Sequence, residues 1–584
     1  MITRLITRRH FTGGLVAGAI GTKSLTPSPA RAFSPAALSS ADRHTPVEAT
    51  GGMVASREAM ATRIGVDVLA AGGNAVDAAA AVAFALAVTL PQAGNLGGGG
   101  FALVHRAADR STHALDFREK APAAAHRDIF LSPDGTVDRE RARYSHHAVG
   151  VPGSVAGYLD LLERFGTWPR ERVMAPAIRL AEDGVRVTPV LHRNIASRME
   201  RLGRWPATRA VIARPGGDAL RPGDLMRQPD LAVSLRRIAE EGAAAFYSGA
   251  IAELIVAEMA RHGGPITAAD LAAYGTAWRD PVPGTYRGVD IASMPPPSSG
   301  GAHLVQMLNV LEGWDLASFG HNTAAGLHHL AETMRRAYAD RATHLGDPEF
   351  WDVPLDWLTS KAYAADIRAA IRPDRATPSD QVSAGTPKLE GANTTHLSVM
   401  DRDGNAVSMT TTLNFGFGSG IVAEGTGIFL NNEMDDFSAK PGVPNAYGLI
   451  GGEANAVAPG KRPLSSMTPT LLLADGRAVG AIGSPDGSRI ITAVLQVILN
   501  LVDHGMNLAE ATTAPRVHHQ WLPDRIWAEE GVSEDTLDLL RRMGHSVERR
   551  RAFGAVQAAV AAPGGFRGVS DTRRPGGLAA GPAE

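Results

Sequence analysis

The chain is 584 residues long, with 44% hydrophobic and 20% charged residues, a composition typical of a folded protein with a large buried core. Its 58 lysines and arginines nearly balance its 60 aspartates and glutamates, so a net charge of -2 gives no general attraction to nucleic acid or to an anionic membrane. The absence of cysteine excludes disulfides, thiolate nucleophiles and cysteine-ligated metals. We expect one large folded unit with a small-molecule partner.

Residues 1–32 have the pattern of a twin-arginine export signal. Arg8 and Arg9 precede a short apolar stretch at residues 13–20, and Ala30-Arg31-Ala32 has the small-x-small form of a signal cleavage site. The apolar stretch is too short to span a bilayer. The pattern predicts export, removal of the signal and release into the periplasm or the medium, with no membrane anchor.

A helix is predicted soon after the signal. Ser56 can cap it, and it would run through Leu69. Its apolar face would carry Met60, Ile64 and Val68.

A second helix is predicted from Ala75 to about Leu90. It is apolar on nearly every side, so it should lie between layers of the structure rather than on the surface. Strand patterns follow at residues 101–105 and 112–117. Their order predicts helices packed on a sheet.

The periodicity of residues 127–389 does not predict the order of their elements. Beyond them, residues 396–400 and 406–412 have strand patterns, and the turn residues 401–405 between them predict a hairpin that begins another sheet. Residues 575–584 are rich in glycine, alanine and proline, so we expect them to be loosely held.

Thr394, in the sequence Asn393-Thr394-Thr395-His396, is the candidate nucleophile. A threonine hydroxyl needs a base to take its proton, and its own α-amino group can be that base once the preceding peptide bond is cut. An α-amine has a pKa near ~8, so part of it is unprotonated at neutral pH. On these four residues alone, the commoner interpretation is a threonine that simply opens a strand.

A longer series of motifs resembles the γ-glutamyltranspeptidase family. Residues 393–407 resemble the processing site of that family, and the similarity extends over nearly the whole mature chain. The other matching segments are GGNAVDA at 72–78, GGGGF at 97–101, LDFREKAP at 115–122, PPSSGG at 296–301, NNEMDDFS at 431–438, KRPLSSM at 461–467 and APRVHHQW at 514–521. Chance does not place so many long motifs in one order.

The resemblance implies an α+β fold of the N-terminal-nucleophile hydrolase type, a four-layer αββα sandwich in which helices enclose two stacked sheets. It implies cleavage between Asn393 and Thr394, giving a large subunit of residues 33–393 and a small catalytic subunit of residues 394–584. Thr394 matches the nucleophile of the family, and Thr412 matches a second hydroxyl that bonds to it. No cofactor or metal is implied.

The implied substrate carries an α-carboxylate and an α-ammonium on one carbon, so its recognition needs opposite charges close together. The carboxylate-binding residues of the family match Arg118, Ser465 and Ser466, which can donate hydrogen bonds. Taken alone, Arg118 would be interpreted as a surface ion pair with a neighbour such as Glu119.

The ammonium-binding residues of the family match Glu433, Asp436 and Asn414. Tyr447 lies where many members have a tyrosine that closes over the bound glutamyl group, which would make residues 438–451 a lid. A tyrosine that merely packs a loop is the alternative for this position.

One segment departs from the family pattern. Pro485-Asp486-Gly487 stands where the family has Pro-Gly-Gly, whose backbone N–H groups bind the oxyanion. A carboxylate turned toward the developing negative charge would oppose catalysis. We therefore expect the side chain of Asp486 to point away, so that the backbone N–H groups of Asp486 and Gly487 still serve.

Other patterns predict no site. Residues 418–423 fit a loose dinucleotide-binding pattern but lack a following helix, and no Gly-x-Ser-x-Gly is present. No metal-ligand spacing links the adjacent histidine pairs, which are His146-His147, His328-His329 and His518-His519. Ordinary hydrogen-bonded histidines are predicted.

The resemblance implies transfer of γ-glutamyl groups from glutathione and other γ-glutamyl amides to water, amino acids or peptides, through an ester on Thr394. One alternative is a related cephalosporin acylase acting on glutaryl-type amides, whose substrate lacks the α-ammonium. Glu433 and Asp436 argue against it, because buried acids left unpaired would penalise that substrate. Another alternative is a non-catalytic periplasmic glutamyl-binding protein, which predicts an uncut chain.

Overall fold

The computed structural model describes residues 44–382, 394–440, 443, 445, 449 and 451–583. The predicted signal, Asn393 and Tyr447 lie outside the described residues. The helices are α1 (Ala59–Ala70), α2 (Ala75–Thr89), α3 (Arg139–Tyr144), α4 (Ser154–Phe165), α5 (Arg170–Asp183), α6 (Pro189–Ala196), α7 (Met199–Leu202), α8 (Pro206–Ile212), α9 (Pro229–Glu241), α10 (Ala243–Tyr247), α11 (Ala250–Arg261), α12 (Ala268–Ala272), α13 (Gly300–Leu311), α14 (Leu316–Phe319), α15 (Ala324–His344), α16 (Leu355–Leu358), α17 (Lys361–Ala369), α18 (Arg489–Val502), α19 (Leu508–Thr513) and α20 (Glu534–Arg542). The strands are β1 (Val47–Ala49), β2 (Gly52–Ser56), β3 (Gly99–Arg106), β4 (Ser111–Phe117), β5 (Val185–Arg186), β6 (Leu225–Met226), β7 (Ala277–Arg279), β8 (Val282–Tyr286), β9 (Val289–Ser293), β10 (Thr394–Asp401), β11 (Ala406–Thr412), β12 (Val422–Ala423), β13 (Ile428–Phe429), β14 (Thr470–Ala474), β15 (Arg477–Gly483), β16 (Val517–His518), β17 (Ile526–Glu529), β18 (Val547–Arg550), β19 (Gln557–Ala562), β20 (Gly565–Ser570) and β21 (Leu578–Ala580).

Two 7-stranded sheets form the centre of the molecule. One has the order β1-β20-β19-β15-β14-β9-β8, and the other has the order β21-β2-β10-β11-β3-β4-β7. The sheets pack face to face, with β2, β10 and β11 against β15, β19 and β20. Helices including α2 and α4 cover one outer face, and α13 and α18 cover the other. The predicted four-layer αββα arrangement is confirmed.

Alternating side chains along the strands supply the apolar layers. In β3, Phe101 and Leu103 lie in the core between the sheets, whereas Ala102 and Val104 lie in the core beneath the helices. Each central strand is therefore buried on both faces.

Helix α2 agrees with the prediction, because every one of its residues is buried. Asn74 caps this helix, and the Asp77 carboxylate accepts a hydrogen bond from the Asn74 N–H at 2.9 Å. The capping box fixes where the helix begins.

The start and the buried face of α1 differ from the prediction. Ser56 is the last residue of β2, and the carboxylate of Glu58 caps the helix instead. Met60 is 38% exposed. The buried face runs through Gly65, where an added Cβ would lie 2.6 Å from Val82 of α2. Val68 is buried as predicted, together with Leu69, so the face combines large apolar side chains with a close helix contact at Gly65.

The predicted hairpin is present as β10 and β11, but it does not begin another sheet. Both strands are inserted between β2 and β3 of the sheet that the earlier strands already form. The expectation of a separate sheet was wrong because the pattern of a strand does not specify its distant partners.

The C-terminal end also differs from the prediction of a loose tail. Residues 578–580 form β21, which pairs with β2, and the Gly51 N–H donates to the Pro582 carbonyl at 3.2 Å. Ala579 is buried close to Gly568. Small residues occur here because the backbones approach closely.

Both sheets contain strands from both sides of residue 393. In one sheet, β10 and β11 lie between β2 and β3, and in the other β14 lies beside β9. A cut before Thr394 would therefore leave two polypeptides sharing continuous sheets.

Residues 243–261 are long and apolar enough to cross a membrane by length and composition alone. They form α10 and α11. The side chains of Phe246, Ile251 and Ile255 are buried in the core that also contains α2 and α4. A buried core helix meets the same criteria.

Candidate active site

Thr394 opens β10 directly opposite the last residue of β11, Thr412. The two side-chain hydroxyl oxygens lie 3.4 Å apart, and both residues are buried. The Asn414 N–H donates to Thr412 Oγ1 at 2.8 Å. This contact occupies a lone pair of the Thr412 oxygen, so its hydrogen can be directed toward Thr394.

A small cavity lies beside Thr394. It is lined by most of the residues that the resemblance placed at the site, which are Arg118, Thr394, Thr412, Glu433, Asp436, Ser465, Ser466 and Gly487. These residues come from six separate segments of the chain, which the stacked sheets bring to one place. Asn414 and Asp486 do not line this cavity.

Arg118 is buried rather than part of a surface ion pair. It bonds through Nη1 to Glu433 Oε1, and through Nη2 to Asp436 Oδ2 at 2.6 Å. Glu119 Oε2 lies 3.7 Å from Nη1. The cationic and anionic sides of the predicted site therefore contact each other directly.

Burial raises the pKa values of the acids around Arg118. It raises the pKa values of Glu433 and Asp436, and Arg118 opposes this rise without cancelling it. Burial likewise raises the pKa of Glu119 to about 7 against the attraction of Arg118. Neither oxygen of Glu119 has a hydrogen-bond partner among the described residues. These acids are therefore harder to ionise than exposed acids, and a cationic ligand would favour their charged forms.

Ser465 and Ser466 also line the cavity. Ser465 Oγ accepts a hydrogen bond from the Met467 N–H at 3.1 Å. Ser466 Oγ accepts one from Arg341 Nη2 at 3.2 Å. Arg341 also lines the cavity, and the sequence analysis missed it. It lies on α15, in the region whose elements could not be ordered.

The loop at Asp486 and Gly487 borders the cavity through Gly487. The Asp486 carboxylate bonds instead to Arg489 at 3.1 Å, to Arg574 at 3.3 Å and to the Gly554 N–H at 2.8 Å. Among the described residues, neither backbone N–H of Asp486 and Gly487 donates to a protein acceptor. Both N–H groups are therefore available to a ligand, and their role toward an oxyanion stays a prediction.

Opposing effects act on the ionisation of Asp486. Burial alone would raise its pKa, but Arg489, Arg574 and the Gly554 N–H together lower the pKa to about 2. The carboxylate is therefore charged at neutral pH and directed at its partners.

Asn414 has a left-handed backbone conformation, with φ +70°. Its side-chain amide donates to the Asn432 carbonyl at 2.9 Å. This contact ties the end of the hairpin to the segment that carries Glu433. Its predicted role toward an ammonium group stays a prediction, as does the lid role of Tyr447.

The dinucleotide-like pattern and one of the histidine pairs can be located in the structure. Residues 418–423 lead into β12 and β13 rather than a helix. His146 Nε2 lies 2.9 Å from Glu258 Oε1, and His262 completes a group whose possible ligand atoms lie within 4.8 Å of one another. The two imidazole rings are stacked at 16°. Nearly parallel rings do not direct their in-plane lone pairs at one ion.

Comparison with known proteins identifies the family. A sequence model described as "Gamma-glutamyltranspeptidase" matches residues 61–581. A glutathione hydrolase proenzyme of Escherichia coli strain K12 is 52% identical over 539 residues, covering 92% of this chain and 93% of the relative.

Two solved structures are also similar. A cephalosporin acylase from Bacillus halodurans has a TM-score of 0.81 at 29% identity, covering 97% of this chain and 100% of that chain. The γ-glutamyltranspeptidase of Helicobacter pylori has a TM-score of 0.56 at 44% identity, covering 59% of this chain and 97% of that chain. The chain therefore belongs to the γ-glutamyltranspeptidase family of enzymes.

Proposed function

We propose that this enzyme is made as a proenzyme, cuts itself between Asn393 and Thr394, and then transfers γ-glutamyl groups from glutathione and related amides. The observation that carries the proposal is the position of Thr394. It opens a central strand beside a second hydroxyl, Thr412, and lines a cavity with Arg118 and Ser466.

The reaction follows from these positions. The Thr394 hydroxyl attacks the γ-carbonyl carbon, and its proton passes to the free α-amine of the same residue. The backbone N–H groups of Asp486 and Gly487 bind the resulting oxyanion. The α-amine then gives the proton to the leaving amine. Water, or the amine of an acceptor amino acid or peptide, attacks the ester and releases the glutamyl group.

Recognition of the substrate uses the charges in the cavity. An α-carboxylate on the Arg118 and Ser465 side, with an α-ammonium near Glu433 and Asp436, would replace the direct bonds between the guanidinium and the acids. A zwitterion satisfies both sides at once, and burial strengthens each contact.

An acylase acting on glutaryl-type amides is the second candidate, favoured by the similarity to the Bacillus halodurans cephalosporin acylase. A glutaryl group offers no cation to Glu433, which is buried, or to Asp436, which is partly buried, and both line the cavity. We therefore favour the γ-glutamyl substrate.

Rates with γ-glutamyl-p-nitroanilide and glutaryl-p-nitroanilide separate the two candidates. We expect kcat/KM to be at least about a hundred-fold higher for the γ-glutamyl compound, because a site built for polar groups rejects an analogue that lacks one. Equal rates, or faster release from the glutaryl compound, would favour the acylase.

Export through the twin-arginine pathway is part of the proposal, on the basis of the pattern in residues 1–32. The mature enzyme would then act on γ-glutamyl compounds in the periplasm or outside the cell. Cell fractionation, with an Arg8→Lys, Arg9→Lys variant as control, tests this location.

A further inference from the structure

Arg341 is a buried arginine that reaches the cavity from α15. Its Nε donates to Ser299 Oγ at 2.9 Å, and its Nη2 donates to Ser466 Oγ at 3.2 Å. Throughout the described part of the chain, no carboxylate forms an ion pair with it.

The two arginines of the cavity therefore differ in their charge balance. Arg118 bonds directly to Glu433 and Asp436. Among the described residues, Arg341 hydrogen-bonds only to neutral hydroxyls, and Asp436 attracts it without bonding to it. Burial lowers the pKa of Arg341 to about 10. It thus stays charged at neutral pH. A buried charge without a counter-ion is costly, and an anionic group of a ligand would relieve that cost.

The hydrogen-bond directions at the two serines support the same conclusion. A guanidinium can only donate, so Ser466 Oγ acts as the acceptor toward Arg341 and must direct its own hydrogen elsewhere. Ser465 Oγ likewise accepts a hydrogen bond from the Met467 N–H, so it too must direct its own hydrogen elsewhere. Neither hydroxyl donates to an acceptor among the described residues, and both serines line the cavity.

Ser299 connects these groups. Its hydroxyl accepts from Arg341 and donates to the Ser465 carbonyl at 2.7 Å. The position of Arg341 is thereby coupled to the backbone of the serine pair. Two free O–H donors and one uncompensated guanidinium form a site for a carboxylate.

We propose that Arg341 is a specificity-determining residue, which supplies the uncompensated positive charge for the α-carboxylate of the γ-glutamyl substrate and orients the Ser466 hydroxyl toward it. This role rests on the proposed function. The two arginines then have different roles. Arg118 links the carboxylate side of the site to the acids, and Arg341 provides the net positive charge.

Substrates with and without the α-carboxylate test this role. γ-Glutamyl-p-nitroanilide carries that group, whereas γ-aminobutyryl-p-nitroanilide retains the amine and lacks the carboxylate. In Arg341→Gln we expect KM for the γ-glutamyl compound to rise about ten- to a hundred-fold, as for loss of a charged hydrogen bond. Its kcat should change little, as should both constants for the γ-aminobutyryl compound. Arg341→Lys should recover much of the loss.

Two further variants distinguish recognition from folding. Arg336→Gln is the matched control, because Arg336 is on the same helix, is buried and pairs with Glu332 outside the cavity. It should lower the unfolding temperature without changing the ratio of KM values. Ser299→Ala, which removes one support of Arg341, should change that ratio in the same direction as Arg341→Gln but less, and it tests the role if Arg341→Gln does not fold.

The possible failures are distinguishable. If wild-type protein stays uncut and releases no p-nitroaniline, the proposed function is wrong. If wild-type protein prefers the γ-glutamyl compound and the folded Arg341 and Ser299 variants keep that preference unchanged, only the role of Arg341 is overturned.

Discussion

Arg574 donates a hydrogen bond from Nη2 to Oδ2 of Asp486 at 3.3 Å, and so joins the C-terminal segment to the loop beside the candidate nucleophile. Asp486 has φ +113°, a conformation that residues with a side chain rarely adopt. Arg489 and the Gly554 N–H hold the same carboxylate. These three contacts fix the loop that presents two backbone N–H groups.

Loss of the Asp486 carboxylate should slow catalysis. In Asp486→Ala we expect kcat for γ-glutamyl-p-nitroanilide to fall about ten-fold or more with KM nearly unchanged, because displaced oxyanion donors act on the transition state. Arg549→Gln is the control, since Arg549 pairs with Glu534 instead. Asp486→Gly permits the same backbone conformation, and a rise in turnover by orders of magnitude in that variant would show that the carboxylate opposes the reaction.

The same carboxylate predicts a dependence of stability on pH. Its pKa is about 2 in the folded protein, against about 3.9 for an unfolded aspartate. A lowered folded pKa stabilises the protein above the unfolded value, and that contribution is lost as the pH falls toward the folded value. The difference in unfolding temperature between wild type and Asp486→Asn should therefore be constant near neutral pH and shrink between about pH 4 and pH 2. A difference that grows in this range would contradict the assignment.

Removing Arg118 should destabilise the protein as well as weaken substrate binding. Arg118→Gln leaves the buried Glu433 and the partly buried Asp436 without their guanidinium partner. We expect the free energy of unfolding to fall by about 3 kcal/mol at neutral pH, as is typical when one member of a buried ion pair is removed. Denaturant titration measures this change. A matching titration of Arg127→Gln, whose partner Glu453 is exposed, should show almost no loss.

Thr412 should affect the reactivity of Thr394 through its hydroxyl. Thr412→Val removes the hydroxyl with little change of shape, and it leaves the Asn414 N–H without its acceptor at Thr412. We expect kcat to fall about ten-fold or more, within the usual range for a group that assists proton transfer. Thr412→Ser should retain most of the activity. Equal activity of the valine and serine variants would remove Thr412 from the reaction.

The hairpin and the buried helix α2 were predictable because their signals are local. The turn at residues 401–405 and the unbroken apolar surface of α2 each lie within one segment. The insertion of β10 and β11 between β2 and β3 was not predictable, because the pattern of a strand does not specify its distant partners. The order of β21 was not predictable either, because its small residues allow close backbone contact instead of burying large apolar side chains.

The candidate site was predictable where the motifs are continuous, and it was incomplete elsewhere. The segments carrying Arg118, Glu433 and Ser465 were found by resemblance. Arg341 was missed because it lies on a long helix whose sequence has no special motif at that position. Its importance follows from its lack of an acidic partner among the described residues, which only three-dimensional contacts reveal.

The intact mass of the purified protein, before and after treatment with a mechanism-based γ-glutamyl inhibitor, tests the central claim most directly. We expect two polypeptides, the smaller beginning at Thr394 and carrying the inhibitor on that residue, and a single uncut chain in Thr394→Ala. An active wild-type preparation that consists of one uncut chain, or that carries the label on another residue, would contradict the account.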